Sequence, residues 1–445
     1  MRTTALLAAC LSFASIINGI SIAMVENIGT VPNGWRMVGV PDPSQRLRFS
    51  IAVKQQNRAL FEQTLYDVST PSHPDYGRHL KRDELKDLVR PTVEATLSII
   101  EWLEESGVRS GSIQDDGDWI TFVATVEQAE KMMSTKFNYY QSHVRPNVRI
   151  LRTMHYFVQD GLDQYIDMIQ PTTRFPRIHP LRSPILGMQE VGASRANPNI
   201  TACSGKITPS CLRELYNIKG FRVNSAKGGF IGVSGFLDQY ARYADLDVFL
   251  DEYAPWVQNG TFTHTFLNGS VMEQNSTNSS IEANLDIQYT ASLSYPLRNH
   301  FYSTPGRGEL VPDLDQPTQS DNLNEPYLEF FTYLLSLPDG QLPQTLTTSY
   351  GENEQSVPEP YARRVCDMAG QLGLRGVSVI FASGDSGVGS ACRTNDGTNA
   401  TRFMPVFPAS CPYVTSVGGT YGVEPERAIA FSSGGFSDLF PRPAY

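Results

Sequence analysis

Gly376-Val377-Ser378-Val379-Ile380-Phe381-Ala382-Ser383-Gly384-Asp385-Ser386-Gly387-Val388-Gly389 changes character halfway along. Its first half is short, apolar and β-branched, the pattern of a strand buried on both faces of a parallel sheet. Its second half turns to Gly, Asp and Ser, and open α/β sheets bind their ligands at such carboxyl ends of buried strands. Glycines 384, 387 and 389 let the backbone turn tightly and approach a neighbour, which leaves Asp385 and Ser386 as the polar groups presented there. From this stretch alone, a glycine-rich loop that only begins the next segment explains the pattern equally well.

The flanking sequence repeats the strand–helix alternation. Gly228 to Gly235 predicts a buried strand, with a helical pattern from Ala241 to Leu250 behind it. Ile281, Leu285, Tyr289 and Leu293 form an apolar stripe, so a helix is expected there with Ser279 or Ser280 as N-cap. Glu282 and Asp286, four residues apart, share the adjoining face of that helix. A solvated acidic edge is the simplest explanation for such a pair. Further helices are expected at Glu325–Leu337 and Pro358–Leu372, with strands at Thr345–Ser349 and Tyr413–Val417. Alternation of this length implies a parallel sheet covered on both faces, whose carboxyl edge would collect Asp385, Glu282 and Asp286.

The first half of the chain reads differently. Leu47, Phe49, Ile51 and Val53 alternate as in a half-buried strand. Helical patterns run from Arg58 to Val68 and from Arg82 to Glu105, interrupted near Pro91. A strand is expected from Asp118 to Ala124, and Thr125-x-x-Gln128 is a capping box for the helix behind it. Extended runs follow at Phe137–His143 and Arg149–Val158. This order suggests a compact α+β, ferredoxin-like unit. From about Pro171 to Asn199 the chain is rich in Pro, Arg and Gly, an exposed linker of the kind proteases cut.

The 445 residues leave room for two or three domains, and the net charge of −10 argues against a nucleic-acid partner. Arg2 precedes an apolar run from Ala5 to Ile17, and Ser21-Ile22-Ala23 offers a small-residue cleavage site, which together read as a secretory signal. No later segment is long and apolar enough to span a bilayer, so a secreted, extracellular protein without a membrane partner is expected. Six glycosylation sequons agree with export: Asn199, Asn259, Asn268, Asn275, Asn278 and Asn399. Proximity suggests disulfides Cys203–Cys211 and Cys392–Cys411, although spacing cannot fix the connectivity. Cys366 shares a helical face with Ala362, Val365, Ala369 and Leu372 and reads as a buried core thiol.

Gly384-Asp385-Ser386-Gly387 matches the tetrapeptide around the nucleophile of chymotrypsin-like proteases. It follows a parallel-type strand, however, and no histidine stands in the required context. The Gly-x-Ser-x-Gly elbow also fails, because its last position is Val388. The chain instead resembles the sedolisins, serine-carboxyl peptidases that include tripeptidyl peptidases. The resemblance rests on Glu282-x-x-x-Asp286, the strand with Ala382-Ser383-Gly384-Asp385-Ser386-Gly387, and the run Phe407 to Thr420. Ser433-Gly434-Gly435-Phe436-Ser437 and Phe440-Pro441-Arg442-Pro443 extend it, and Pro74-Asp75-Tyr76-Gly77-Arg78-His79-Leu80 resembles the family's activation propeptide.

That resemblance implies a subtilisin-like parallel sheet flanked by helices, preceded by the ferredoxin-like propeptide. The implied division is signal peptide 1–23, propeptide 24–170, linker with processing site 171–200, and partial peptidase domain 201–445. It implies Glu282 as general base, Asp286 as its orienting partner, and Asp385 as a protonated oxyanion partner, for secreted acid hydrolysis of peptide bonds. It also implies a monomer whose partners are peptide substrates and its own inhibitory propeptide, with Ca²⁺ as cofactor. The family's nucleophile lies in a Gly-Thr-Ser-Ala motif, and no Gly-Thr-Ser occurs in these 445 residues. The calcium loop, expected beyond that motif, is missing as well. The polypeptide as written is therefore expected to be inactive. A non-catalytic pseudopeptidase or propeptide-bearing binding protein is the alternative.

Overall fold

The computed structural model describes residues 21–29, 31, 35–142, 149–173, 175, 203, 206–221, 223, 228–275, 280–318, 321–390, 392–423 and 425–443. The apolar run at the N-terminus, residues 174 and 176–200 of the linker, and the sequons at Asn199 and Asn278 lie outside the described residues. Two compact units are present: Met1–Val31, Trp35–Arg58 and Lys86–Arg174 form one, and Pro32–Gly34, Ala59–Leu85 and Phe175–Tyr445 the other.

The elements up to residue 170 are β1 (Ile22–Asn27), β2 (Trp35–Gly39), β3 (Arg46–Val53), α1 (Arg58–Ser69), α2 (Arg82–Val89), α3 (Val93–Glu105), β4 (Gln114–Asp115), β5 (Trp119–Thr125), α4 (Val126–Met132), β6 (Asn138–Ser142), β7 (Arg149–Arg152), β8 (His155–Gln159) and β9 (Ile166–Gln170). In the first unit an antiparallel sheet runs in the order β4-β5-β3-β9. With α3 and α4 as its connections, this is the expected ferredoxin-like βαββαβ arrangement. Alternation does what it predicts in β3: Phe49, Ile51 and Val53 enter the core while Arg46 and Arg48 stay out. Ile99, Trp102 and Leu103 of α3 close the core from the helix side.

Side chains cap both helices. Ala95 N donates to Thr92 Oγ1 at 3.1 Å, and Thr125 and Gln128 form the full capping box. The extended run 149–158 is broken into β7 and β8. β1 pairs with β8 from Ile22↔Gln159 onward, so cleavage after Ala23 would remove the first two residues of that strand.

The second unit continues with α5 (Pro209–Leu215), β10 (Phe230–Gly235), α6 (Tyr243–Tyr253), β11 (Phe262–Phe266), α7 (Ile281–Ser294), β12 (Arg298–Ser303), α8 (Tyr327–Ser336), β13 (Thr345–Thr348), β14 (Glu352–Asn353), α9 (Glu359–Leu374), β15 (Ser378–Ala382), β16 (Val406–Phe407) and β17 (Thr415–Val417). Six strands form one sheet in the order β11-β12-β10-β13-β15-β17, every pair parallel. The α/β class with a parallel sheet flanked by helices is as expected.

Strands β11 and β12 escape the sequence reading because neither is an apolar run. Their polar side chains satisfy one another: Thr263 and Thr265 hydroxyls lie 2.6 and 2.8 Å from the two ring nitrogens of His300. Phe262 and Phe301 supply the core side of the same strands.

Two expectations need correction. The core face of α7 is Ala283, Ile287 and Ala291, while Ile281 and Leu285 are each 47% exposed. The small side chains let the helix lie close over Val233 and Phe301, and that packing outweighs the bulkier stripe. Cys203–Cys211 forms as expected, but Cys411 pairs with Cys366, and Cys392 is a free thiol. Cys366 and Cys411 are both buried, brought together where the 408–412 turn meets α9. Cys392 sits in a loop with φ 48 and its Sγ lies 2.9 Å from Gly389 O. Closeness in sequence found the first bond and missed the second.

Residues 59–85 belong to this second unit. The Phe61 ring of α1 meets Tyr413 edge-on at 5.7 Å, and the Tyr413 hydroxyl donates to Glu62 Oε1 at 3.0 Å. Gly370 of α9 makes room for that ring, since a Cβ there would lie 2.7 Å from Phe61 Cζ. Leu65 sits over Gly373 in the same way, and Leu80 N donates to Leu374 O at 2.8 Å.

Candidate active site

The carboxyl ends of β13 and β15 and the first turns of α7 meet in one place. Glu282 and Asp286 lie one turn apart on α7, between its buried stripe and its exposed one. Ser349, the residue after β13, donates its hydroxyl to Asp286 Oδ1 at 2.7 Å and is within hydrogen-bonding reach of Glu282. A serine hydroxyl has one proton, so it serves one carboxylate at a time as donor. Asp286 Oδ2 is buried with no hydrogen-bond partner. Tyr350 follows Ser349, and its buried phenol feels the charges of Asp286 and Glu282.

Asp385 arrives on the turn after β15, which is held rigidly. Gly384 and Gly387 have φ of +104° and +58°, a region that favours glycine. Ser433 clamps the turn: its N–H donates to Gly384 O at 2.9 Å, and its Oγ accepts from Ser386 N at 3.0 Å. Gly387 N donates to Phe431 O at 2.6 Å, and Gly419 N donates to Ser432 Oγ at 3.0 Å. The motif blocks at 384–387, 418–420 and 431–435 are thus parts of one woven loop. Asp385 stays exposed on it and faces Glu282 closely enough for its charge to act there.

Burial is the main reason that the Glu282 carboxyl is pushed up to about 7, with the Asp385 charge second; the Ser349 hydrogen bond acts against both. Burial and then the Glu282 charge push Asp286 up to about 8, again opposed by Ser349. The sequence expectation of a base ionised in acid has to be restated for a coupled pair. Such a pair loses its protons in two macroscopic steps, and the singly protonated state has one carboxylate able to accept a proton while the other keeps its own.

Ser386 is exposed, and its hydroxyl makes no hydrogen bond to a carboxylate or an imidazole among the described residues. His264 is engaged by the Tyr243 hydroxyl at 2.9 Å and His300 by Thr263 and Thr265, so neither could activate it. Ser349 and Tyr350 were missed in the sequence. The signal that could have found them is their position at the carboxyl end of a buried strand, the rule that singled out Asp385.

No cluster of three or more His, Cys, Asp or Glu suited to a metal occurs among the described residues, and no chemistry is routed through a metal. The sequons at Asn259, Asn268, Asn275 and Asn399 are all exposed. Three of them take positive φ at loop tips: Asn259 (53°), Asn268 (46°) and Asn399 (53°).

The family described as Pro-kumamolisin, activation domain, matches residues 33–175. Probable tripeptidyl-peptidase SED2 of Trichophyton verrucosum is 49% identical over 438 residues, covering 96% of this chain and 72% of that protein. Tripeptidyl-peptidase SED2 of Arthroderma otae is 49% identical over 431 residues, covering 95% and 71%. Probable tripeptidyl-peptidase SED3 of T. verrucosum is 50% identical over 423 residues, with the same coverage of 95% and 71%. Among solved structures, Pseudomonas sedolisin covers 48% of this chain and 53% of its own at 15% identity, with a TM-score of 0.34, too loose a likeness to carry an argument.

Proposed function

The chain belongs to the sedolisin family, whose members are serine-type peptidases, and from that premise we propose that it is the zymogen of a secreted acid tripeptidyl peptidase. In this reading Glu282 takes the proton of a nucleophilic serine. Asp286, fixed by Ser349, orients Glu282, which the assembled site must hold below its value of about 7 here for it to be ionised in acid. Asp385 stands where a donor is needed by the oxyanion of the tetrahedral intermediate. The observation that supports it most is the meeting of Glu282, Asp286 and Asp385 at the carboxyl edge of the parallel sheet, with the Ser349 hydroxyl 2.7 Å from Asp286. The activation-domain match supports a propeptide acting as intramolecular inhibitor. Exposed sequons are consistent with a secreted glycoprotein.

Release of tripeptides from a peptide with a free N-terminus, by the secreted protein in acid, is the test. Glu282→Gln and Asp385→Asn are each expected to lower kcat by about 10²–10³-fold; full activity in either variant would overturn the assignment. A polypeptide of these 445 residues alone has no Gly-Thr-Ser and is expected to turn over nothing. Turnover abolished by Ser386→Ala would instead make Ser386 the nucleophile.

A further inference from the structure

A second carboxyl pair lies behind the site, and the peptidase reading leaves it unused. Glu325, just ahead of α8, and Glu352, in β14, are 2% and 6% exposed. Their carboxyls lie within hydrogen-bonding reach of each other, although as two carboxylates they form no bond. Neither oxygen of Glu352 has a donor, while Glu325 Oε2 receives the Tyr327 hydroxyl at 3.1 Å. Two carboxylates are acceptors only, so a hydrogen bond between them requires a proton on one of them.

Glu354, two residues along, is the contrast. It is equally buried, yet it receives the hydroxyls of Ser410 and Ser437 at 2.6 Å each and Asp438 N at 2.6 Å. Nothing comparable reaches Glu352. The Glu325 backbone is tightly seated as well: a Cβ on Gly308 would lie 2.5 Å from the Glu325 carbonyl oxygen and 3.1 Å from the Tyr361 hydroxyl.

The titratable and charged groups near the pair come from several elements. α8 presents Tyr327, and α9 presents Tyr361, whose hydroxyl donates to Glu325 O at 3.1 Å. The loop after β12 brings Arg307, which also faces Asp238 at 3.7 Å and so divides its charge. Tyr350 stands between this pair and Asp286 and Glu282, feeling the charge of all three of Asp286, Glu282 and Glu325.

We propose that Glu325 and Glu352 form a proton-sharing carboxyl pair that fastens the Ser349–Glu352 segment to the start of α8, so that the second unit stays assembled only while the shared proton is held. The idea does not depend on the peptidase reading. Burial is the leading cause that holds both carboxyls above their ordinary range. Folded values above unfolded ones mean that the pair's contribution is complete below the ordinary carboxyl range and is lost as pH rises through the folded values.

The experiment follows tertiary structure by near-ultraviolet circular dichroism in the secreted full-length protein, from about pH 4 to about pH 8. The wild type is expected to lose its signal on the neutral side. Glu352→Gln can donate an amide N–H to Glu325 without a titrating proton, so it should move that midpoint upward by about one pH unit or more. Glu325→Gln should do the same. Glu282 and Asp286 titrate with the same sign, so Asp286→Asn serves as the reference, and the Glu352→Gln shift must add to it. Folded variants at both positions with unmoved midpoints would overturn the proposal. Should neither variant fold, infrared spectroscopy decides. A protonated-carboxyl band at about pH 6 that survives in Glu282→Gln/Asp286→Asn supports the pair, and its absence there refutes it.

Discussion

Ser349 and Asp385 pull the Glu282 carboxyl in opposite directions. The hydroxyl lowers it and the neighbouring charge raises it, while burial sets the high starting point. Ser349→Ala should therefore move the titrations of Glu282 and Asp286 further up, and Ser349→Thr, which keeps the hydroxyl, should move them less. Asp385→Asn should bring Glu282 down from about 7. Carbon-13 carboxyl titration reads these shifts without requiring activity, and equal displacement in both variants would refute the arrangement. The two carboxyls have folded values near 7 and 8, above their unfolded ones. The stability tied to their protons is therefore complete below about pH 4 and lost as pH rises through those values.

Helix α9 shows how one element serves several neighbours. Ala362, Val365, Met368, Ala369 and Leu372 are buried along it. Gly370 and Gly373 offer flat positions to Phe61 and Leu65, and Cys366 anchors the turn that leads to β17. The Cys366–Cys411 bond closes 45 residues of chain. Cys366→Ala or Cys411→Ala should cost about 2–4 kcal/mol in denaturant unfolding. Cys392→Ser, on its loop, should stay within about 0.5 kcal/mol of wild type. Peptide mapping without reduction should recover the 366–411 pair and find Cys392 open to alkylation. A 392–411 peptide would contradict the structure.

At the scale of the molecule, the activation-domain match at 33–175 and the division into compact units do not coincide. Residues 59–85 lie inside the match, yet they pack in the second unit against α9 and Tyr413. Cleavage of the zymogen in the window from about 180 to about 202, within the Pro- and Arg-rich linker, would then leave α1 held by contacts rather than by the chain. N-terminal sequencing of active secreted protein should find a start in that window. The separated segment should bind back in trans, and Phe61→Ala should weaken its binding by about 10²-fold or more. Unchanged affinity would show that the grip lies elsewhere.

The sequence by itself determined what depends on local order. Period-two alternation marked β3, a capping box marked the start of α4, and a buried run breaking into glycines marked β15 and the turn that carries Asp385. Four-residue spacing put Glu282 and Asp286 on one side of α7. Only the tertiary structure decided what depends on which neighbour arrives. The buried face of α7 runs through two alanines because a sheet lies close beneath it. β11 and β12 are strands because Thr263, Thr265 and His300 satisfy each other across them. Cys411 finds Cys366 because the 408–412 turn reaches α9, and Glu325 meets Glu352 across 27 positions that carry no repeating pattern. Periodicity is a property of one segment and can be read along it, whereas partnership is a property of two and exists only once both are folded.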